Sequence, residues 1–183
     1  MVFVNEILQI WKSENLLSQA WEETSEMMDL SHDMFEEAIS SMREGVKRKK
    51  LLDIKKRDRD INAFQRGVRK KVITHFSISS NKNDIPNGMV LLSIIIDVER
   101  LGDYTKNILD LAINYKQKII SEELLPELRE IEIEVEGRFK STFDAINIQN
   151  EKEAQKLLKT YEKDIALASD KIVNGCISGD ISF

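Results

Sequence analysis

The sequence predicts an all-α protein, an antiparallel helical bundle, and three observations support this class. Two prolines and seven glycines in 183 residues are too few for the many turns of a β architecture. Aromatic residues form only 7% of the chain, whereas leucine, isoleucine, glutamate and lysine are abundant, as in helical proteins. Apolar residues also recur at spacings of three and four, which places them on one face of a helix.

The first two helices are expected to occupy most of residues 13–76. Ser13, followed by Glu14, is typical of a helix N-cap, and we expect a long helix from there to Gly45, with a short helix before it. The second helix is expected from about Arg48 to Phe76. Its apolar residues follow helical spacing: Ile54, Ile61, Phe64, Val68 and Val72.

The third helix has the most regular apolar pattern. A polar loop precedes it, and Asp84 before Ile85 and Pro86 marks its start, so we expect a helix over about 86–118. Its 3-4 seam is typical of a helix packed nearly antiparallel to its neighbours. The seam residues are Leu91, Ile94, Val98, Leu101, Thr105, Ile108 and Ala112. The expected core is Ile61, Phe64, Val68, Leu91, Ile94, Val98, Leu101 and Ile108.

Two further helices are expected near the C-terminus, over about 126–148 and 151–175. Asn150 and Glu153 form a capping-box-like start for the second of these. The first three helices can close a three-helix bundle over residues 1–118, but the last two, in 119–183, lack a third companion. Their apolar stripe should therefore pack back on the first bundle or form a homodimer interface, which we favour. The stripe consists of Ile148, Leu157, Leu158, Tyr161 and Ile165.

Composition argues against several functional classes. A net charge of −5 is unlike that of a nucleic-acid-binding protein, and Cys176 alone cannot form a disulfide framework. The longest apolar run, 89–96, is far short of the ~20 residues that a membrane-spanning helix needs. The N-terminus has no basic region typical of a signal peptide. We therefore expect a cytoplasmic protein with no membrane insertion.

Residues 47–71 are strongly basic, with twelve lysines or arginines and three aspartates. One interpretation is a solvated helix face with internal charge pairing. The other is a docking surface for an acidic partner or for membrane headgroups.

Oxygen-bearing side chains occur four residues apart on two neighbouring helices. Glu99 and Asp103 share one face of the third helix, away from its seam, and Asp58 and Asn62 repeat this spacing on the second. Asp97 lies on a different side from Glu99. Such oxygen ligands suit hard cations, or iron and manganese. These five residues are the candidate ligands of divalent or iron-type metal ions.

Other interpretations stay open. The acidic residues could simply pair with arginines of the second helix: Arg57, Arg59, Arg66 and Arg69. Only His32 and His75 are available as imidazole ligands, without the Glu-x-x-His repeats of di-iron bundles. No phosphate-binding glycine loop and no nucleophile paired with a base are found. We therefore predict neither an enzyme nor an organic cofactor.

Two segments together resemble the PhoU domain family of phosphate-uptake regulators. They are "RDRDINAFQRGVRKKVITHFSI" (57–78) and "GMVLLSIIIDVERLGDYTKNILDLA" (88–112). The most specific motif, acid-x-Glu-Arg-hydrophobic-Gly-Asp-x-x-x-Asn-Ile, is intact from Asp97 to Ile108. The Asp-x-x-hydrophobic-(Asp/Asn) motif of the second helix matches from Asp58 to Asn62.

The resemblance implies a fold and a function. PhoU proteins typically pair two three-helix bundles and are often dimeric. They restrain the phosphate-starvation response from the cytoplasm by contacting a sensor kinase and the phosphate transporter, or they form tails of sodium–phosphate cotransporters. Some bind multinuclear metal clusters through Glu/Asp-x-x-x-Asp motifs. Glu99 and Asp103 match such a motif, whereas Asn62 replaces the second acid after Asp58. Residues 119–183 look like an incomplete second repeat, because no second Glu-Arg-x-Gly-Asp helix follows.

These observations lead to one principal hypothesis and two alternatives. The principal hypothesis is a regulator of phosphate transport and homeostasis that acts by protein–protein contact, with a metal ion among its possible ligands. Its partner would be a component of a phosphate transporter or a sensor kinase. The first alternative is a metal-independent helical adaptor or dimerisation module. The second, a metal-dependent phosphohydrolase, lacks histidine ligands and a pocket motif.

Overall fold

The computed structural model describes residues 2–44, 47–114, 125–148, 150–160 and 164–180. These residues are almost entirely helical and include no strand, which confirms the all-α prediction. The chain divides into two compact units, Met1–Lys116 and Gln117–Phe183. The helices of the first unit are α1 (Val2–Glu44), α2 (Arg48–Lys56), α3 (Asp58–Ile78) and α4 (Ile85–Asn114), with a 3-10 turn at Lys82–Asp84.

The three long helices of the first unit form an antiparallel bundle in which each packs against the other two. Ion pairs show the direction of α3 relative to α1. Lys71, in the second half of α3, pairs with Glu23 in the middle of α1, whereas Arg57, just before α3, pairs with Glu37 near the end of α1. The short helix α2 packs against α1, α3 and α4.

Two predicted helix boundaries in this unit are wrong. α1 continues through Ser13 instead of starting there, because the sequence from Val2 to Glu44 contains no glycine or proline to stop it. The predicted second helix is divided at Arg57, whose backbone N–H bonds to the carbonyl of Ile54 at 3.0 Å. This i−3 hydrogen bond is a single tight turn of 3-10 type between α2 and α3.

The core lies between α1, α3 and α4. The large apolar side chains that are almost completely buried are Met27, Met34, Ile54, Ile61, Val68, Val72, Leu91, Ile95 and Leu109. Of the predicted core, Ile61, Val68, Leu91 and Val98 are buried, and Phe64, Ile94 and Ile108 are half-buried. The prediction is wrong for Leu101, which is 39% exposed.

Leu101 is exposed because α4 turns a different set of residues toward the core than the sequence predicts. The buried residues of this helix are Gly88, Leu91, Ile95, Val98, Gly102, Thr105 and Leu109. They keep the 3-4 spacing, but glycines occupy two positions of the seam. A methyl group on Gly88 would stand 2.3 Å from the ring of Phe76. Small residues therefore face α3, and several large ones turn outward.

An outer stripe remains on α4 as a result. It consists of four exposed side chains and two half-buried ones between them: Val90, Ile94, Leu101, Tyr104, Ile108 and Leu111. Their spacing, with Asp97 in the one remaining position, again follows a 3-4 pattern. This outer stripe is an apolar helix face at the surface of the first unit.

The connection between α3 and α4 is held by a polar contact. His75 is only 1% exposed, and its Nε2 lies 2.8 Å from Oδ2 of Asp84. The side-chain amide of Asn81 donates a hydrogen bond to the other oxygen of Asp84 at 2.9 Å. Asp84 thus joins the end of α3 to the residues just before α4, as expected of a residue at the start of that helix.

Several basic residues of 47–71 are paired within the first unit. Lys55 pairs with Asp110 on α4, and Lys56 pairs with Asp53 within α2. Arg57 and Lys71 pair with α1, as described above. This pairing favours the interpretation of the basic stretch as a solvated helix face, while its use as a docking surface stays a prediction.

The second unit contains α5 (Leu125–Asn147), α6 (Glu151–Thr160) and α7 (Asp164–Ser178). The side chain of Asn150 accepts a hydrogen bond from the backbone N–H of Glu153 at 3.3 Å, which confirms the predicted cap. Of the predicted apolar stripe, Ile148 and Leu158 are more than 70% exposed. Leu157 and Ile165 are half-buried, and Tyr161 lies outside the described residues.

The facing of α4 can be tested by two matched truncations. Ile95→Ala should lower the free energy of unfolding by about 2–5 kcal/mol, because it removes a fully buried side chain. Leu101→Ala should lower it by about 1 kcal/mol or less, because that side chain is already partly in solvent. Urea denaturation followed by circular dichroism would measure both, and equal losses would contradict the seam described here.

Candidate functional site

The candidate site lies between α3 and α4, where a lysine bridges two carboxylates. Asp58 is at the start of α3, and Asp103 and Lys106 are one turn apart on α4. Nζ of Lys106 lies 3.0 Å from Oδ1 of Asp58 and 2.6 Å from Oδ1 of Asp103. One ammonium group thus connects an acid of α3 with an acid of α4.

Asn62 completes the surroundings of Asp58. Its side-chain amide donates hydrogen bonds to the backbone carbonyl of Asp58 at 2.8 Å and to Oδ2 at 3.0 Å. The two oxygens of the Asp58 carboxylate therefore face different partners, Asn62 on one side and Lys106 on the other. Asn62 acts as a hydrogen-bond donor that holds this carboxylate in place.

Gly102 allows the two helices to come close enough for this contact. A methyl group there would stand 2.9 Å from Cδ1 of the fully buried Ile61 and 3.8 Å from Oδ1 of Asp58. Gly102 precedes Asp103 directly, so the point of close approach is next to the charged group. The glycine in the Glu-Arg-x-Gly-Asp motif thus positions the site through packing.

The local charges favour a protonated lysine. The carboxylate of Asp103 raises the pKa of Lys106 above its ordinary value, partial burial opposes this shift, and Asp58 adds to it. Lys106 therefore stays cationic throughout the neutral range. Two carboxylates and one ammonium leave a single negative charge on this cluster.

The two other predicted ligands, Glu99 and Asp97, lie on different sides of α4. Glu99 is half-buried and lies one turn before Asp103 on the same face of α4. The side chain of Asp97 is 73% exposed and lies 3.3 Å from Arg100. At 3.6 residues per turn, Asp97 is roughly 120° around the helix from Asp103. The structure thus brings Asp58, Asn62 and Asp103 together and directs Asp97 elsewhere.

This arrangement does not fit a metal ion held between Asp58 and Asp103. Protein oxygens bind hard cations at about 2.0–2.6 Å, so an ion shared by these carboxylates would need the space that Nζ of Lys106 fills. Two cations in that space would also repel one another. The alternative in which acids pair with basic residues describes this cluster better, although the cation comes from α4 and is not an arginine of α3.

A groove between α1 and α3 was not predicted from the sequence. Its volume is about 710 Å³, and both acidic and apolar side chains line it. The lining residues are Glu23, Glu26, Asp29, Leu30, Asp33, Asp60, Ala63 and Phe64. The acids of α1 recur at intervals of three and four residues, a signal that a scan for helical charge patterns would detect.

A second group of potential ligands lies on α1. Atoms of His32, Asp33 and Glu36 that could each bind a metal ion are all within 4.8 Å of one another. Nε2 of His32 is 3.6 Å from Oε1 of Glu36. The His-x-x-x-Glu spacing in the sequence is the signal for this contact, since residues four apart are neighbours on a helix.

Part of the chain matches a known protein family. Residues 24–112 match the family model of the PhoU domain. The matched range runs from α1 to the last turn of α4 and includes Asp58, Asn62, Asp103 and Lys106. Searches of the curated proteins and of the solved structures found no significant match.

The contribution of the site to stability can be tested at two aspartates. Asp58→Ala should reduce the free energy of unfolding by about 1–3 kcal/mol, because the side chain is only 16% exposed and its removal takes away one hydrogen-bond acceptor of Asn62 and one of the two acids that contact Lys106. Asp97→Ala, which removes an exposed ion pair, should cost about 1 kcal/mol or less. Thermal denaturation of both variants would show the difference, and a loss at Asp97 as large as that at Asp58 would contradict this assignment.

Proposed function

We propose that the protein is a non-enzymatic regulator of phosphate transport and phosphate homeostasis that acts by protein–protein contact, because residues 24–112 match the PhoU domain family. The family match is the observation that carries this proposal. The partner we propose is a component of a phosphate transporter or a sensor kinase, met in the cytoplasm. None of the described helices has the length and apolar character needed to cross a membrane.

The outer stripe of α4 supports a role in protein contact. Tyr104 is 64% exposed and Leu111 is 54% exposed, and both lie on the same face as Val90 and Leu101. Contiguous apolar side chains at a protein surface mark interaction sites more often than isolated ones do. The 3-4 spacing of the stripe suits a second helix lying along α4.

Metal dependence divides the proposal into two forms. In one form, Asp58, Asn62, Glu99, Asp103 and Asp97 bind a divalent or iron-type ion. In the other form, the protein is a metal-independent helical adaptor. The contacts of Lys106 with Asp58 and Asp103 favour the second form.

The second unit supports self-association as part of this function. Leu158 is 72% exposed and Ile148 is 71% exposed, and burial of such side chains favours association.

We expect light scattering to give the mass of two chains at high protein concentration. Leu158→Glu should shift the equilibrium toward the monomer, and Lys152→Glu, on the same helix, serves as the control. A wild-type mass of one chain at every concentration would contradict the dimer.

The regulatory role can be tested in cells that lack the gene. We expect its loss to raise expression of phosphate-starvation genes when phosphate is plentiful, and the wild-type chain to restore repression. The double variant Leu101→Glu/Tyr104→Glu should fail to restore it, because it places charges on the outer stripe. Ile73→Glu changes a side chain on α3 that is 54% exposed and should restore repression. Unchanged expression after gene loss would contradict the proposed function.

A further inference from the structure

We infer that Lys106 is the resident cation of this domain, and that its ammonium group occupies the position between Asp58 and Asp103 that a metal ion would need. The inference concerns what fills the site and does not depend on the regulatory role proposed above. Lys106 joins an acid of α3 to an acid of α4, as a bound metal ion could do.

The contacts of Lys106 support this assignment. Its Nζ lies 2.6 Å from an oxygen of Asp103 and 3.0 Å from an oxygen of Asp58. These distances are those of charge-assisted contacts. Asn62 holds the other oxygen of Asp58, so this carboxylate already has a partner on each side. Asp58 and Asp103 thus both contact a cation that belongs to the chain itself.

The position of Lys106 in the sequence places its ammonium group next to Asp103. Asp103 and Lys106 are three residues apart on α4, a spacing at which helical side chains are neighbours. The ammonium is therefore beside Asp103 as soon as α4 forms. Packing of α3 against Gly102 then brings Asp58 to it. A lysine at this position can join the two helices without an external ion.

Burial explains why a cation is needed there. The side chains of Asp58 and Lys106 are 16% and 26% exposed, whereas that of Asp103 is 49% exposed, so solvent screens the Asp58–Lys106 contact only in part and Asp103 more strongly. Two carboxylates in such a place repel one another unless a positive charge lies between them. Removal of the ammonium should leave a pair of acids from two helices, which is the ligand set that a hard cation prefers.

The test measures Mn²⁺ binding to the purified full chain and to Lys106→Met. The unbound Mn²⁺ concentration can be counted by electron paramagnetic resonance, and thermal midpoints can be recorded with and without the ion. We expect the wild type to show no stoichiometric Mn²⁺ binding that depends on Asp58, and binding at His32, Asp33 and Glu36 of α1 would be unaffected by Asp58→Asn. Lys106→Met should bind Mn²⁺ at least about tenfold more tightly than the wild type, and added Mn²⁺ should raise its thermal midpoint. Lys106→Gln, which also removes the charge, should behave in the same way.

Matched controls separate this effect from a general loss of an ion pair. Lys55 pairs with Asp110 and joins α2 to α4. Lys55→Met should lower the thermal midpoint without any gain in Mn²⁺ binding. Adding Asp103→Asn to Lys106→Met should abolish the gained binding, because it removes one of the two carboxylates.

Two results would overturn the inference. One is stoichiometric Mn²⁺ binding by the wild type that Asp58→Asn abolishes, because the ion would then occupy the site in the presence of the lysine. The other is a folded Lys106→Met or Lys106→Gln variant, verified by circular dichroism, with no gain in Mn²⁺ binding. Both measurements are independent of phosphate-starvation gene expression, so the regulatory proposal and this inference can fail separately.

Discussion

The close approach of α3 and α4 is the constraint on which the candidate site depends. Two glycines of α4 face large side chains of α3: Gly88 lies against Phe76 near one end, and Gly102 lies against Ile61 nearer the other. No larger residue fits at Gly88 without moving the ring of Phe76. The short distance between the helices also brings an acid of α3 to a lysine of α4. The ion pair between α3 and α4 therefore depends on the close packing at Gly102.

Ion pairs join neighbouring helices at several places in the first unit. Glu23 of α1 contacts Lys71 of α3, Glu37 of α1 contacts Arg57 just before α3, and Asp110 of α4 contacts Lys55 of α2. Pairs of this kind at a partly exposed surface contribute little to stability individually. They do disfavour displaced arrangements, because a shift along the helix axis would separate the opposite charges. The apolar core supplies most of the stabilisation, and these pairs help to fix how the helices are aligned.

The sequence was sufficient to predict the helical class, the buried face of α3 and the cap at Asn150. The predicted facing of α4 is wrong in part, because large side chains dominate its 3-4 pattern whereas the structure turns two glycines toward α3. The sequence prediction also missed the partner of Asp58, since Lys106 is distant in the sequence and only the packing of two helices brings them together. The pairing of Asp103 with Lys106 could have been seen from their spacing, whereas its extension to Asp58 could not.

The connection between α3 and α4 has a consequence for the order of folding. Only six residues, 79–84, separate the two helices, and the contact between His75 and Asp84 already fixes their geometry. The entropy lost on closing so short a loop is small, whereas the path from α1 to α3 includes all of α2. Contacts that are local in sequence tend to form rapidly, so the α3–α4 hairpin is suited to assemble before α1 docks on it. The contact between Asp58 and Lys106 lies at the end of this hairpin away from the loop, so it would form after the helices have paired nearer the loop.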